Sequence, residues 1–256
     1  MNEPTDAPDA AAPSRPLAVV TGASAGIGEA IATRLAAEGF RLLLGARRED
    51  RIRALADRLG AEARVLDVAD EGSVAAFCAG LERVEVLINN AGGARGLDPL
   101  AAARSDQWRW MWEVNVLGLM QMTRALLPAL EASGRGHIVN VSSTAGLEVY
   151  EGGSGYTSAK HGVHAISRTL RLELLGRPIR VTEVSPGMVE SDFSLNRFGG
   201  DASRAAGVYR GVTPLTAADI ADVVAFAVTR PAHVNIDEIV VRPVQQASAQ
   251  KVVRRG

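Results

Sequence analysis

The chain has 256 residues, 47% of them hydrophobic and 22% charged, which suffices for one domain with a large buried core and leaves little room for two. Its 28 basic and 29 acidic residues leave a formal charge of -1, with no dense Lys/Arg run before the short KVVRR near the C-terminus. Nothing in that balance calls for a nucleic acid or a membrane surface as partner.

The opening residues, 1–15, carry acids where a secretory leader carries bases, and they have no apolar stretch, so a disordered N-terminal tail is expected. No run reaches the roughly 18 apolar residues of a membrane span. The single cysteine, Cys78, excludes an internal disulfide and suits a reducing compartment. The expected location is cytoplasmic.

Short apolar runs then read as strands: LAVVT from Leu17, RLLLG from Arg41, ARVLDV from Ala63, VEVLINN from Val84, HIVNVSS from His137, RVTEVSP from Arg180 and EIVVRP from Glu238. Parallel strands buried on both faces have this largely apolar character. Helical patterns lie between them. Ile27, Ile31, Leu35 and Glu38 fall at helical spacing with Gly39 as the stop, and Leu174, Leu175 and Gly176 close a later helix before Pro178. Seven strands alternating with six helices predict an α/β fold over 16–245. It is a single-domain, doubly wound Rossmann-type fold with a seven-stranded parallel sheet and helices on both faces. Residues 187–213 break the rhythm and are expected to form a functional loop, and 246–256 read as a C-terminal tail.

At the first strand-to-helix junction, VVTGASAGIGEAI places Gly22, Gly26 and Gly28. Glycines let the backbone turn tightly and approach a pyrophosphate, whose charge is favoured at a helix N-terminus. Further along, YTSAKHGVHAIS sets Tyr156 and Lys160 one helical turn apart, where they can share a face.

TGASAGIG from Thr21, NNAG from Asn89, VNVSSTAG from Val139, YTSAK from Tyr156 and SPGMV from Ser185 together resemble the short-chain dehydrogenase/reductase family, in the family's order and over nearly the whole chain. The resemblance implies an oxidoreductase that interconverts an alcohol and a carbonyl with a nicotinamide cofactor. It implies cofactor contacts from Gly22, Ser24, Gly26, Ile27 and Gly28, and adenine contacts from Asp67 and Val68. Asn89 and Ala91 would line the adenosine ribose, and Gly92, Pro186, Gly187, Val189 and Ser191 would complete the cofactor contacts. Tyr156 becomes the general acid in reduction and the base in oxidation, and Lys160 tunes it and hydrogen-bonds the nicotinamide ribose. Ser143, rather than Ser142, polarises the substrate carbonyl. Asn115 holds a proton-relay water by way of Lys160. A homotetramer or homodimer is implied too, with the helices carrying Trp108 and His164 paired between subunits.

Bringing a phenol from about 10 to about 7 takes roughly 4 kcal/mol of differential stabilisation, which a nearby ammonium and the positive nicotinamide of an oxidised cofactor are expected to supply. At the end of the second strand, LLLGARRED puts Ala46 where an NAD-type aspartate would stand, followed by Arg47 and Arg48. A 2′-phosphate needs a positive partner, so NADP(H) is the expected cofactor.

The remaining signals concern packing and substrate. Trp108, Met111, Trp112 and Asn115 fall at helical spacing, which favours core packing or a subunit contact over a ligand platform. His161 and His164 have no carboxylate or cysteine at metal-ligand spacing, so no metal site is expected. The C-terminal third resembles NADP-dependent 3-hydroxy acid dehydrogenases, whose site must hold a carboxylate; Arg197 is the candidate for that, or else an ion-pair partner of Asp201. Tyr150, Met188 and Phe193, with Ser143 and Tyr156, are the other candidate substrate residues. A reductase of larger aldehydes or ketones, and a non-catalytic NADP(H)-binding sensor or scaffold, are the competing readings.

Overall fold

A computed structural model describes residues 15–255; apart from Arg15, the predicted N-terminal tail lies outside the described residues. The strands are β1 (Leu17–Thr21), β2 (Arg41–Ala46), β3 (Glu62–Val65), β4 (Val86–Asn89), β5 (Gly136–Val141), β6 (Ile179–Pro186) and β7 (Glu238–Val241). They form one parallel sheet in the order β3-β2-β1-β4-β5-β6-β7. The helices are α1 (Gly26–Ala37), α2 (Glu49–Leu59), α3 (Glu71–Cys78), α4 (Ser105–Trp112), α5 (Gly118–Ala132), α6 (Ser154–Glu173), α7 (Asp192–Arg197), α8 (Ala202–Tyr209) and α9 (Ala217–Val228). The strand order reverses between β1 and β4, and a crevice opens beyond their carboxyl ends.

Alternation along each central strand sorts its side chains between two helical layers. Ala18 and Val20 of β1, Leu42 and Leu44 of β2, and Val86 and Ile88 of β4 pack with Ile31 and Leu35 of α1 and Ile220 and Val224 of α9. The residues between them, Val19, Leu43 and Leu87, pack on the other face with Phe77 of α3 and Met122, Leu126 and Leu130 of α5. Each such large side chain contributes about 1.5–3 kcal/mol by leaving water. These two cores hold the strand ends, and hence the site, in place.

Three features depart from the sequence-based expectation. The edge strands β3 and β7 are only partly covered, because each has a neighbour on one side alone. Residues 187–213 contain α7 and α8, too short to show a helical period, started by Ser191 accepting from the Phe193 N–H and Asp201 accepting from the Arg204 N–H. Residues 246–255 are packed rather than a free tail: Gln246 is buried and bridges to Val252, and the Arg255 N–H donates to the Gly211 carbonyl at 2.8 Å.

Candidate active site

The crevice widens into a cleft of about 470 Å³. On one wall, Gly22 and Gly26 take positive φ of 67° and 59°, and a Cβ on Gly28 would stand 2.4 Å from the Gly22 carbonyl oxygen. The chain therefore needs glycine at both turns and at the closest approach. Ala25 gives the N-terminus of α1 no side-chain cap, so its first N–H groups face the cleft with no internal acceptor. This is the arrangement that suits a pyrophosphate.

At the end of β2 the lining runs Ala46, Arg47, Arg48, with no carboxylate among the three. Arg48 donates from Nε and Nη2 to the Ser24 hydroxyl at 3.1 and 2.9 Å, which folds a guanidinium over the glycine turn. Asp67 and Val68 form the opposite wall, and Ile27, Ala91 and Gly92 also line the cleft. Ser191 reaches across from the 187–213 segment, its Cβ within 3.5 Å of where a Cβ on Gly26 would lie.

Some expected residues do not reach the cleft. Asn89 is the last residue of β4, and its amide turns into the core, donating to Thr123 Oγ1 and Asn140 Oδ1 at 3.0 Å each. The next residue, Asn90, lines the cleft instead and ties its amide to the Thr21 and Gly22 carbonyls at 3.0 and 3.3 Å. Strand alternation is the physical reason: adjacent asparagines point to opposite sides. Pro186, Gly187, Met188 and Val189 are not part of the lining. Gly187 and Met188 are engaged by Gln246, whose Oε1 accepts from the Met188 N–H at 2.8 Å and would lie 2.3 Å from a Cβ on Gly187.

Where the cleft meets α6, Tyr156 is buried with Ser143 beside it, and the Ser143 hydroxyl itself donates to the Pro186 carbonyl at 3.4 Å and accepts from the Ala145 N–H at 3.1 Å. Burial pushes the phenol above its ordinary value, Tyr150 adds to that, and the Ser143 hydroxyl and the Arg197 charge pull it back down. The expectation of a phenol brought toward neutrality is not met by the chain alone, because desolvation outweighs both groups that favour phenolate. The resting form is the neutral phenol, which is the form able to donate a proton.

Lys160 lies with Nζ 5.9 Å from the Tyr156 ring centroid and donates to the Val141 carbonyl at 3.0 Å. Burial pushes its pKa down to about 8, against the pull of Glu183. Asn115 sits in a widened π-type turn, Glu113–Leu117, that joins α4 to α5. Its side-chain N–H groups go to the Gly93 and Met111 carbonyls at 2.9 and 2.8 Å, and its Oδ1 accepts from the Gly93 N–H. The amide thus fixes the 91–95 loop and makes no bond to Lys160.

The substrate side is built from Tyr150, Phe193 and Arg197. Phe193 stands 5.5 Å from Tyr156, ring to ring. Arg197 donates to the Gly96 carbonyl at 2.9 Å and to the Tyr150 hydroxyl at 3.1 Å, and its guanidinium carbon lies 5.9 Å from the Tyr156 ring centroid. The alternative pairing with Asp201 is not made, since that carboxylate caps α8.

Asn90, Arg95 and Trp110, which the sequence did not single out, line the cleft, and so does Ser142, set aside in favour of Ser143, which is not part of the lining. Ser142 Oγ is buried without a partner. Trp108 packs with Met111 and Tyr156 as expected, whereas Trp110 carries Arg95 at 4.0 Å over its ring. His164 does have carboxylates near it, hidden from linear spacing. Its Nδ1 is 3.0 Å from Glu183 Oε2, and Glu238 is the register partner of Glu183 on β7. The imidazole is a hydrogen-bond partner for that fully buried acid.

Residues 16–199 match the short chain dehydrogenase family. The protein is 59% identical over 235 residues to an uncharacterized oxidoreductase of Mycobacterium tuberculosis, covering 92% of this chain and 94% of that one. It is 41% identical over 247 residues to the NADP-dependent 3-hydroxy acid dehydrogenase of Salmonella typhi, covering 94% and 100%. A closed-form serine dehydrogenase solved with NADP+ superposes with a TM-score of 0.89 at 38% identity, over 94% of this chain and 100% of that one. The chain belongs to the short chain dehydrogenase family and is an oxidoreductase.

Proposed function

We propose that the protein uses NADP(H) to interconvert a short 3-hydroxy acid and the corresponding carbonyl compound or semialdehyde. The observation that carries the substrate class is Arg197, which has no carboxylate partner among the described residues and stands beside Tyr156 with two of its five donors used. A guanidinium in that position suits the carboxylate of a substrate whose reacting carbon lies near the phenol.

NADP(H) fits the uncapped helix, the glycine cradle and the two arginines at the end of β2. When bound, the nicotinamide supplies or accepts the hydride. The chain's own residues do the rest. Ser143 and Tyr156 would both hydrogen-bond the substrate oxygen, and the neutral Tyr156 donates the proton in reduction and takes it back in oxidation. Lys160 holds the cationic charge behind the phenol and serves the nicotinamide ribose. Asn115 fixes the loop that faces both.

The exposed Trp112 and Leu117, flanking the α4–α5 junction, support burial of this face between subunits of a homotetramer or homodimer. Cys78, with its thiol pushed up to about 11 by burial, is suited to the cytoplasm, where it stays reduced and inert.

The test is oxidation of L-serine and 3-hydroxypropionate and reduction of malonic semialdehyde, run beside bulky aromatic and cyclic ketones. Turnover confined to the small acids, with Arg197→Met raising their KM by about 10- to 100-fold, is the expected result. Activity only on bulky ketones overturns the assignment in favour of a larger-carbonyl reductase. Undisturbed biological output of an inactive Tyr156→Phe protein would instead point to a sensor or scaffold.

A further inference from the structure

Beyond Arg197, on the outer side of the substrate pocket, lies a cavity of about 440 Å³ whose lining includes Arg95, Arg197, Arg204, Asp98, Gln107 and Asn196. Each of its three arginines is laid on an aromatic ring instead of a carboxylate. Arg95 lies 4.0 Å above Trp110, Arg197 lies 5.5 Å from Tyr150, and Arg204 lies 4.5 Å above Phe198, all measured to the ring centroid. Among the described residues no carboxylate comes within ion-pair distance of any of them. Asp98 is the one acid in the lining, and its charge also acts on Arg104.

A guanidinium over a ring is oriented without being neutralised, and Arg197 still has donors beyond the two it gives to Gly96 and Tyr150. Three such groups around one cavity create a positive field that an anion would relieve. Two of them also connect the cavity to the chemistry: Arg95 lines the cofactor cleft as well, and Arg197 reaches Tyr156.

We infer that this cavity binds a second anionic group of the substrate, a carboxylate or a phosphate at the end remote from the reacting carbon. This deepens the proposed function and rests on it for the position of the carbonyl. Arg197 then holds the proximal carboxylate, and Arg95 and Arg204 select molecules that carry a distal oxyanion. The preferred substrate class becomes 3-hydroxy and 3-oxo acids with two anionic ends.

The experiment measures binding by calorimetry to the NADP+-loaded protein, with butyrate and glutarate as matched mono- and dianionic probes and 4-phosphonobutyrate as the phosphate-like one. The expected result is that glutarate binds about tenfold or more tightly than butyrate at low salt, with the advantage shrinking as salt is added. The variant Arg204→Met, at the arginine that lines this cavity and not the cofactor cleft, removes most of that advantage while leaving butyrate affinity unchanged. A further gain for the phosphonate assigns a phosphate, and no gain assigns a carboxylate. Equal affinities for butyrate and glutarate, or a glutarate advantage that survives Arg204→Met in full, overturn the inference. The underlying reading is checked separately by reduction of 3-oxobutyrate and 3-oxoadipate. If neither is turned over while the arginine-dependent glutarate advantage persists, the anion site stands and the hydroxy-acid assignment fails.

Discussion

Arg48 folds back over the glycine turn to give both Nε and Nη2 to the hydroxyl of Ser24, so the basic end of β2 is tied to the phosphate-binding end of α1. The same short arc holds Ala46, and Arg47 stands exposed beside it. A 2′-phosphate entering here meets two cations and no acid. Arg47→Ala with Arg48→Ala is expected to weaken NADPH about 10- to 100-fold and leave NADH nearly unchanged. Ala46→Asp should add repulsion toward the phosphate and an acceptor for a ribose hydroxyl, shifting preference toward NADH. Fluorescence titration with both cofactors checks this, and equal losses for the two would sink the phosphate assignment.

Tyr156 has its proton stabilised by burial, against the opposing pull of Ser143 and Arg197. Tyr156→Phe is expected to lower kcat by about 10²- to 10⁴-fold, with NADPH affinity retained because the ring still packs with Ala145 and Met111. Ser143→Ala should lose rate while keeping the phenol, and its defect should add little to that of Tyr156→Phe, since both act on one oxygen. Single-turnover kinetics with labelled NADPH separates the chemical step from binding.

The seven strands and the two-layer architecture were legible in the sequence because buried parallel strands announce themselves as continuous apolar runs. That Tyr156 and Lys160 share one helix was legible from their spacing, whereas Ser143 was implied only by the resemblance. What escaped was anything decided by side-chain direction or by distant segments meeting. Asn89 and Asn90 are indistinguishable in NNAG until alternation sends one into the core. Glu183 and Glu238 meet His164 only through strand register. Gln246, placed in a tail, is fixed by Met188 from 58 residues away. The depth of burial of Tyr156 is likewise a tertiary quantity, and in the chain alone it outweighs Ser143 and Arg197, with the oxidised nicotinamide of the expected shift outside that balance.

The burial of Lys160 makes a pH-dependent prediction. Its folded pKa, about 8, lies below the ordinary lysine value of 10.5, so between those values the unfolded chain binds the proton that the folded chain has released. Stability contributed by this residue therefore rises with pH across that window, and below about 8 the buried ammonium carries its full cost, on the order of 3–4 kcal/mol. Lys160→Met should accordingly be inactive yet more stable than the parent at pH 7, and the difference should narrow as pH climbs past 8. Thermal unfolding of both proteins across pH 6–10 tests this; a gap independent of pH removes the ammonium as its cause.

The packed C-terminal segment leads to the last expectation. Gln246 is buried, accepts the Met188 N–H through Oε1 at 2.8 Å, and donates from Nε2 to the Ser248 carbonyl at 3.3 Å. It therefore pins the start of the 187–213 segment, whose Ser191 and Phe193 reach into the cleft. Gln246→Ala leaves the Met188 N–H without its acceptor, at a cost of about 1–3 kcal/mol, and loosens the hinge of that segment. Gln246→Glu retains an acceptor at the same reach and should restore much of the loss. If the segment closes over bound cofactor and substrate, Gln246→Ala raises KM for both with a smaller change in kcat, and limited proteolysis between 190 and 213 becomes faster in the absence of NADPH. A variant with unaltered KM and unaltered cleavage would show that Gln246 stabilises the C-terminal fold without governing the segment above the site.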